Sequence, residues 1–253
     1  MTLEPRAECL ARRFIDARKT GRKITPEEVM AGPRDLDEAY LVQALTAEAL
    51  GPTGAFKTGR KSPDAKPIMA PIPAFTVRQS PAVFGRDELW LIGIELEIGF
   101  RIDAPLPSPD DPDFEARARG CVSALAALEV VDTRLADHES AGPLLKLADN
   151  QINGGLVVGA PRRDWRSLDL ARVEARLRFG DEVVLDGSVD VPGGDAFATF
   201  CVFARQVGTH CGGLQPGQFV ITGSVNGLPF IERGTSVRGE IAGLGEVAAD
   251  FTL

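Results

Sequence analysis

Residues 93–100 read Gly-Ile-Glu-Leu-Glu-Ile-Gly-Phe, and a strand is the one regular structure that sorts this alternation. A helix would scatter Ile94, Leu96, Ile98 and Phe100 around its circumference, whereas a period of two sets them on one face. Gly93, Glu95, Glu97 and Gly99 then share the other face. Two carboxylates stand side by side there, between glycines that leave room for something to approach. Two readings are open at this point. On an edge strand the acidic face is solvated and needs no partner. On a buried strand, which the apolar lead-in Trp90-Leu91-Ile92 favours, two ionised carboxylates repel and are costly without a cation. Hard divalent ions that take oxygen ligands, Mg2+ or Mn2+, meet that need.

The remaining composition bounds what surrounds this strand. A chain of 253 residues can form one large domain, or one domain with a helical appendage. A net charge of −8 argues against general nucleic-acid binding. No apolar run reaches the roughly 18 residues of a membrane span. Residues 1–13 mix acids and bases without the apolar core of a secretory leader. The expectation is a cytoplasmic protein with neither nucleic-acid nor membrane partners. Cys9, Cys121, Cys201 and Cys211 lack Cys-x-x-Cys spacing and read as free thiols.

Residues 1–52 read as a helical region. Cys9, Leu10, Phe14 and Ile15 form a short apolar stripe, and Thr25-Pro26-Glu27-Glu28 has the form of a helix start. A longer helix opens at Asp35 and closes at Gly51-Pro52, with Tyr40, Leu41, Val42, Leu45 and Leu50 as its apolar surface. Residues 53–253 read as a β-rich body. A strand is expected at 56–59, an ordered proline-punctuated loop at 66–81, a helix at 111–125 and strands at 128–133 and 154–159. A hairpin turning at Gly180-Asp181 follows, then a helix from Asp195 to Gly212 and a strand-rich tail. Helices followed by a mostly β body define an α+β class.

Four segments in this order carry a resemblance. They are Gly54-Ala-Phe-Lys57-Thr-Gly59, Glu95-x-Glu97, Ala127-Leu-Glu129-Val-Val-Asp-Thr-Arg134 and Ala148-Asp149-Asn150. The tail adds Leu214-Gln-Pro-Gly217, Thr222-Gly-Ser224 and Gly243-Leu-Gly-Glu-Val247, and the stretch 37–43 adds a matching helix. Together they resemble the 2-keto-4-pentenoate hydratase and 4-oxalocrotonate decarboxylase family of the fumarylacetoacetate hydrolase superfamily. The resemblance implies a mixed β-sandwich or roll and a lyase of aromatic catabolism acting on a small anionic 2-oxo acid. It implies Mg2+ or Mn2+ held by Glu95, Glu97 and Glu129, stabilising an enolate. A homo-oligomer, or a complex with a homologous subunit, is the expected assembly.

By the same resemblance Lys57 is a catalytic and substrate-binding cation, and Ser224 and Asp149 touch substrate. Each has a plainer alternative: a surface lysine, a turn residue and a loop cap. Glu129 has one too, as a partner of Arg134. His138 and His210 read as structural or surface residues, and Arg60-Lys61 as a solvated pair.

The chain departs from the family twice. The loop Pro67-Ile-Met-Ala-Pro-Ile-Pro73 lacks the acid expected there, and Gly194-Asp195-Ala196 stands where Gly-His-Pro is typical. Asp195 is therefore the first candidate for the missing acid–base group, with helix capping as its alternative. Hydration of a dienol is the leading expectation. Decarboxylation or C–C hydrolysis, and a catalytically weak partner subunit, are the alternatives.

Overall fold

The computed structural model describes residues 3–29 and 32–253; of the N-terminal stretch 1–13, Met1 and Thr2 lie outside it. Helix α1 (Leu3–Thr20) packs on α2 (Leu36–Leu50). Ala7, Leu10, Ala11, Phe14 and Ala17 form the buried stripe of α1, spaced at helical period, against Ala39 and Val42. Cys9 and Ile15 fall off that stripe, and Cys9 is exposed. Between the helices the expected start at Thr25 is only a 3-10 turn, Pro26–Val29, whose Glu28 carboxylate accepts from the Thr25 N–H at 2.9 Å. Asp35 caps α2, accepting from the Glu38 N–H at 2.9 Å.

The body contains strands β1 (Thr53–Gly59), β2 (Ile68–Pro73), β3 (Val77–Gln79), β4 (Ala82–Phe84), β5 (Gly93–Ile102), β6 (Val122–Val131) and β7 (Asn153–Val158). It continues through β8 (Arg172–Phe179), β9 (Glu182–Asp190), β10 (Phe219–Ser224), β11 (Ser236–Ile241) and β12 (Gly245–Phe251). Helices α3 (Phe114–Ala118), α4 (Pro143–Ala148) and α5 (Ala196–Gln206) are inserted among them. One sheet runs β2-β1-β10-β5-β6-β7-β3 and the other β4-β12-β11-β8-β9. This is the expected α+β architecture.

The two faces of β5 have different fates. Ile94, Leu96, Ile98 and Phe100 are fully buried, together with Ala124, Ala126, Leu128 and Val130 of β6. Across from them lie Val237 and Ile241 of β11, Val247 of β12, and Phe197, Phe200 and Phe203 of α5. Phe100 meets Phe200 at 5.2 Å between ring centroids. Truncating such a buried ring costs about 3–5 kcal/mol. A Cβ on Gly239 of β11 would lie 2.9 Å from Leu96 Cδ1, so glycine at this position lets the sheets approach.

The opposite face of the seven-stranded sheet lies inside a curl that brings β2 against β7. On this face Ala55, Ile72, Leu125, Ala127, Leu156, Val158, Phe219 and Ile221 form a separate apolar cluster. The acidic face of β5 belongs to this side.

Four sequence expectations change. Residues 111–125 yield only the short α3, and β6 begins at Val122. Its Ala- and Leu-rich run has helical propensity but is buried at every position between β5 and β7, and sheet context wins. Residues 66–81 are not a loop throughout, because β2 pairs with β1 as a sheet-edge strand. Pro71 and Pro73 are tolerated there, where a missing N–H has no ladder to break. Trp90 is 41% exposed and the lead-in is not strand. The expected helix 195–212 ends at Gln206, with a short 3-10 turn, His210–Gly212, beyond it.

Candidate metal centre and active site

The β5–β6 ladder sets Glu95 directly opposite Glu129, and Glu97 opposite Ala127 on the same face. Each of the three carboxylates offers an oxygen within 4.8 Å of the other two. Oxygens sharing one hard cation at about 2.0–2.6 Å stand at most about 4–5 Å apart. Glu129 is fully buried, Glu97 is 3% exposed, and Glu95 is half-buried, so the site opens on the Glu95 side.

Lys57 reaches this cluster from β1, across β10. Its Nζ lies 2.5 Å from Glu129 Oε1 and donates to the Gln151 carbonyl at 3.2 Å. A register shift between Ile221 and Ser224 frees the Gly223 N–H from the β10–β5 ladder, and it donates to Glu97 Oε2 at 2.6 Å. Asn153 Nδ2 donates to Glu129 Oε1 at 2.9 Å. Glu129 Oε2 is buried with no hydrogen-bond partner among the described residues.

One ammonium does not neutralise three carboxylates. Burial, and then the charge of Glu129, push Glu95 up to about 7. Burial with Glu129 and Glu95 holds Glu97 well above the usual carboxylate range. Burial alone would lower Lys57, but the carboxylates of Glu129 and Glu95 outweigh it and raise its pKa. A dication would supply the missing charge, and the orphaned Glu129 oxygen would offer it a lone pair. The donor set, all oxygen, fits a hard ion.

The backbone beside Lys57 is strained. Asn150, Gln151 and Ile152 have φ of 50°, 53° and 53°, three left-handed residues in succession without a glycine. Each costs about 1–2 kcal/mol, and such segments gather at functional sites. The turn aims the Gln151 carbonyl at Lys57. Among the described residues, buried Asn150 has neither side-chain polar atom partnered, and Asn153 Oδ1 is likewise unpartnered.

Other expected residues are placed differently. Asp149 is buried and fully engaged: Oδ1 accepts from Arg134 Nε at 2.5 Å, and Oδ2 from the Thr133 hydroxyl and Arg134 N–H. Its carboxylate anchors the loop at Thr133 and Arg134. Arg134 is thereby taken, and Glu129 is left to Lys57. Ser224 pairs with Glu97 in the ladder, but its hydroxyl donates to the Gly227 carbonyl at 2.7 Å, as a turn residue does. Asp195 accepts from the Ala198 N–H at 2.7 Å and caps α5. Arg60 is buried and bonded to Thr199 Oγ1 and the Pro63 carbonyl, correcting the solvated-pair reading. His210 bonds Gln43 Oε1 at 3.0 Å, and His138 stands between the rings of Trp90 and Phe230.

The two glycines flanking the carboxylates do not hold space for a ligand. A Cβ on Gly99 would meet Leu125 at 3.3 Å, and one on Gly93 would meet Leu228 Cδ1 at 2.7 Å, Val131 Cβ at 3.0 Å and Phe230 Cε1 at 3.1 Å. Both notches are filled by apolar side chains. Asn153, the Gln151 carbonyl and the Gly223 N–H went unnoticed in the sequence. The polar run Asn150-Gln-Ile-Asn153-Gly154 was the available signal for an irregular turn there.

Comparison with known proteins bears on this geometry. Residues 48–252 match the family described as fumarylacetoacetate (FAA) hydrolase C-terminal. The chain is 26% identical to 2-keto-4-pentenoate hydratase 2 of Dechloromonas aromatica (strain RCB), covering 91% of this chain and 92% of that protein. It is 24% identical to 2-keto-4-pentenoate hydratase of Paraburkholderia xenovorans (strain LB400), covering 99% and 96%. In three dimensions it is similar to 4-oxalocrotonate decarboxylase from Pseudomonas putida G7, complexed with magnesium and adipate. The TM-score there is 0.82 at 20% identity, over 99% of this chain and 98% of that one. A more distant likeness, TM-score 0.57 at 17% identity over 79% and 89%, is to fumarylpyruvate hydrolase from Pseudomonas aeruginosa with Mn2+ and pyruvate. On the family match across most of its length, the chain belongs to the fumarylacetoacetate hydrolase family.

Proposed function

We propose that this chain is a divalent-metal-dependent lyase of a small 2-oxo acid, hydratase-like in its reaction. The observation that carries the proposal is the meeting, among the described residues, of three carboxylates around a single ammonium, with one buried oxygen, Glu129 Oε2, left without a donor. Glu95, Glu97 and Glu129 would hold Mg2+ or Mn2+, the metals named with the related decarboxylase and hydrolase. Bound there, the ion would supply Lewis-acid polarisation of the 2-oxo group and its neighbouring carboxylate.

The chain's own groups prepare the rest. The Gly223 N–H and the Asn153 amide each fix one carboxylate by one oxygen and leave the other free. The Lys57 ammonium, held between Glu129 and the Gln151 carbonyl, would bind an anionic oxygen of substrate and pass a proton to it.

A second reading, decarboxylation, is favoured by one observation. Ala70 is the ladder partner of Lys57 on β2, so no acid stands beside it there, and Asp149 and Asp195 are both engaged elsewhere. Loss of CO2 needs fewer proton transfers than water addition. The test is the purified chain with Mg2+, following the ultraviolet absorbance of a 2-hydroxydienoate. Metal-dependent loss of the dienol with water uptake supports hydration. CO2 release from an unsaturated 2-oxo diacid, without hydration, moves the assignment to decarboxylase. Silence in both assays, with metal bound, favours the weak partner subunit and overturns the enzyme reading.

A further inference from the structure

A cleft of about 550 Å³ lies where the end of α1 meets the body, and cations outnumber acids on its walls. Arg18 and Lys19 come from the last turn of α1, Lys23 from the segment after it, Arg134 from the loop after β6 and Arg233 from the loop before β11. The acids are Asp87, Glu88 and Asp132. Most of these charges are already paired. Asp132 accepts from the Leu91 N–H at 3.0 Å and the Thr133 N–H at 2.8 Å, and stands 3.7 Å from Lys23 Nζ. Glu88 is bound to Arg78, and Arg134 to Asp149. Among the described residues Arg18, Lys19 and Arg233 are left with Asp87, which is exposed.

Arg18 differs from the other two. Lys19 is exposed and can be solvated, and Arg233 donates to the Leu89 and Arg86 carbonyls at 2.6 and 2.9 Å. Arg18 is part-buried, and its Nε is enclosed with no hydrogen-bond partner among the described residues. The carboxylates whose charge reaches it, Asp149 and Asp132, are bound to Arg134 and Lys23. Burial, and then the like charge of Arg134, pull its pKa down to about 9, so it remains a cation at neutral pH. A guanidinium withdrawn from water without a counter-charge is costly to hold. Its planar fork of N–H donors suits a carboxylate or a phosphate.

We propose that this cleft binds a small oxyanion, a carboxylate or a phosphate, on the Arg18 guanidinium, with Lys19 and Arg233 adding to the local field. The site is separate from the three glutamates and does not rest on the metal reading. Arg134 links the two: its guanidinium holds Asp149 and the Asn153 carbonyl, while the Asn153 amide donates to Glu129. A bound oxyanion supplies Arg18 with the negative charge that Asp149 and Asp132 give to other partners. The glutamates themselves repel an anion, so metal-free protein isolates this cleft.

Calorimetry on the metal-free full chain, in a buffer without other multivalent anions, tests this with inorganic phosphate and acetate as separate titrants. The expected result is one saturable site per chain for at least one of them, weakened by about tenfold or more in Arg18→Gln. Arg18→Lys keeps the charge without the fork and should fall between the two; it carries the comparison if the glutamine variant does not fold. Arg22→Gln, which removes a neighbouring exposed arginine already paired with Glu28, should bind as the wild type does. Saturating titrant should raise Tm in the wild type and in Arg22→Gln, but not in Arg18→Gln. No saturable binding of either anion to the wild type would overturn the proposal. Equal affinity in a folded Arg18→Gln would do the same, as would an equal loss in Arg22→Gln, the mark of diffuse charge attraction. Sedimentation velocity covers the remaining source of charge. An assembly that dissociates on Arg18→Gln, with neither anion bound, gives the counter-charge to a second copy and overturns the small-ion site.

Discussion

Glu95 and Glu129 are direct partners across the β5–β6 ladder, with side chains on the same face of the sheet. Like charges placed directly opposite destabilise an antiparallel pair, and here Glu97 adds a third. Burial raises the cost further, and Lys57 offsets only part of it. The fold thus maintains a charge imbalance at one place on a largely buried sheet.

That imbalance has a pH signature. Glu95, raised from the usual carboxylate range to about 7, is more easily protonated folded than unfolded. Its contribution to stability is full below about pH 4.5 and is lost as pH rises through about 7. Glu97 shifts in the same direction. Metal-free protein should therefore lose thermal stability across this window. Added Mg2+ should raise Tm more at pH 8 than at pH 6, with proton release on binding. Differential scanning calorimetry at the two pH values, with and without Mg2+, checks this; a metal-induced gain that is larger at pH 6 would contradict it.

Lys57→Met removes the only cation that touches the carboxylates among the described residues. The expected outcome is retained metal binding with turnover reduced by about 100-fold or more. Steady-state kinetics beside a metal titration separates the two effects. Full activity in the variant would return Lys57 to a purely structural role.

Asp149 and Asp195 should behave as structural residues of unequal weight. Asp149→Asn leaves the buried Arg134 guanidinium without its counter-charge, at a cost of about 3–5 kcal/mol. Asp195→Asn keeps an equally good helix cap and should change stability by less than about 0.5 kcal/mol. Chemical denaturation measures both. A large loss of activity in Asp195→Asn, with stability intact, would restore its candidacy as the acid–base group.

Much of this was legible in residues 93–100, because period-two alternation with glutamates on one face specifies both the strand and its acidic side. The caps at Asp35 and Asp195 were legible for a similar reason: a side chain and a backbone N–H three residues on form a local unit. Residues 122–131 were not, since an Ala- and Leu-rich run becomes a strand only through its neighbours on both sides. Nor was the placement of Glu129 opposite Glu95, which depends on antiparallel register. The glycines at 93 and 99 misled for the same cause: the side chains that fill their notches come from Leu228, Phe230 and Leu125. Arg60 and Asn153 likewise acquire their roles from partners distant in the chain, Thr199 and Glu129.

The most direct test of the metal centre is a Mn2+ titration of the wild type and of Glu129→Gln, read by calorimetry and electron paramagnetic resonance. Glutamine preserves the shape of a fully buried side chain while removing its charge. The account predicts one Mn2+ bound per wild-type chain, and affinity lower by about 100-fold or more in a folded Glu129→Gln variant. Equal Mn2+ affinity in the two folded proteins would contradict it.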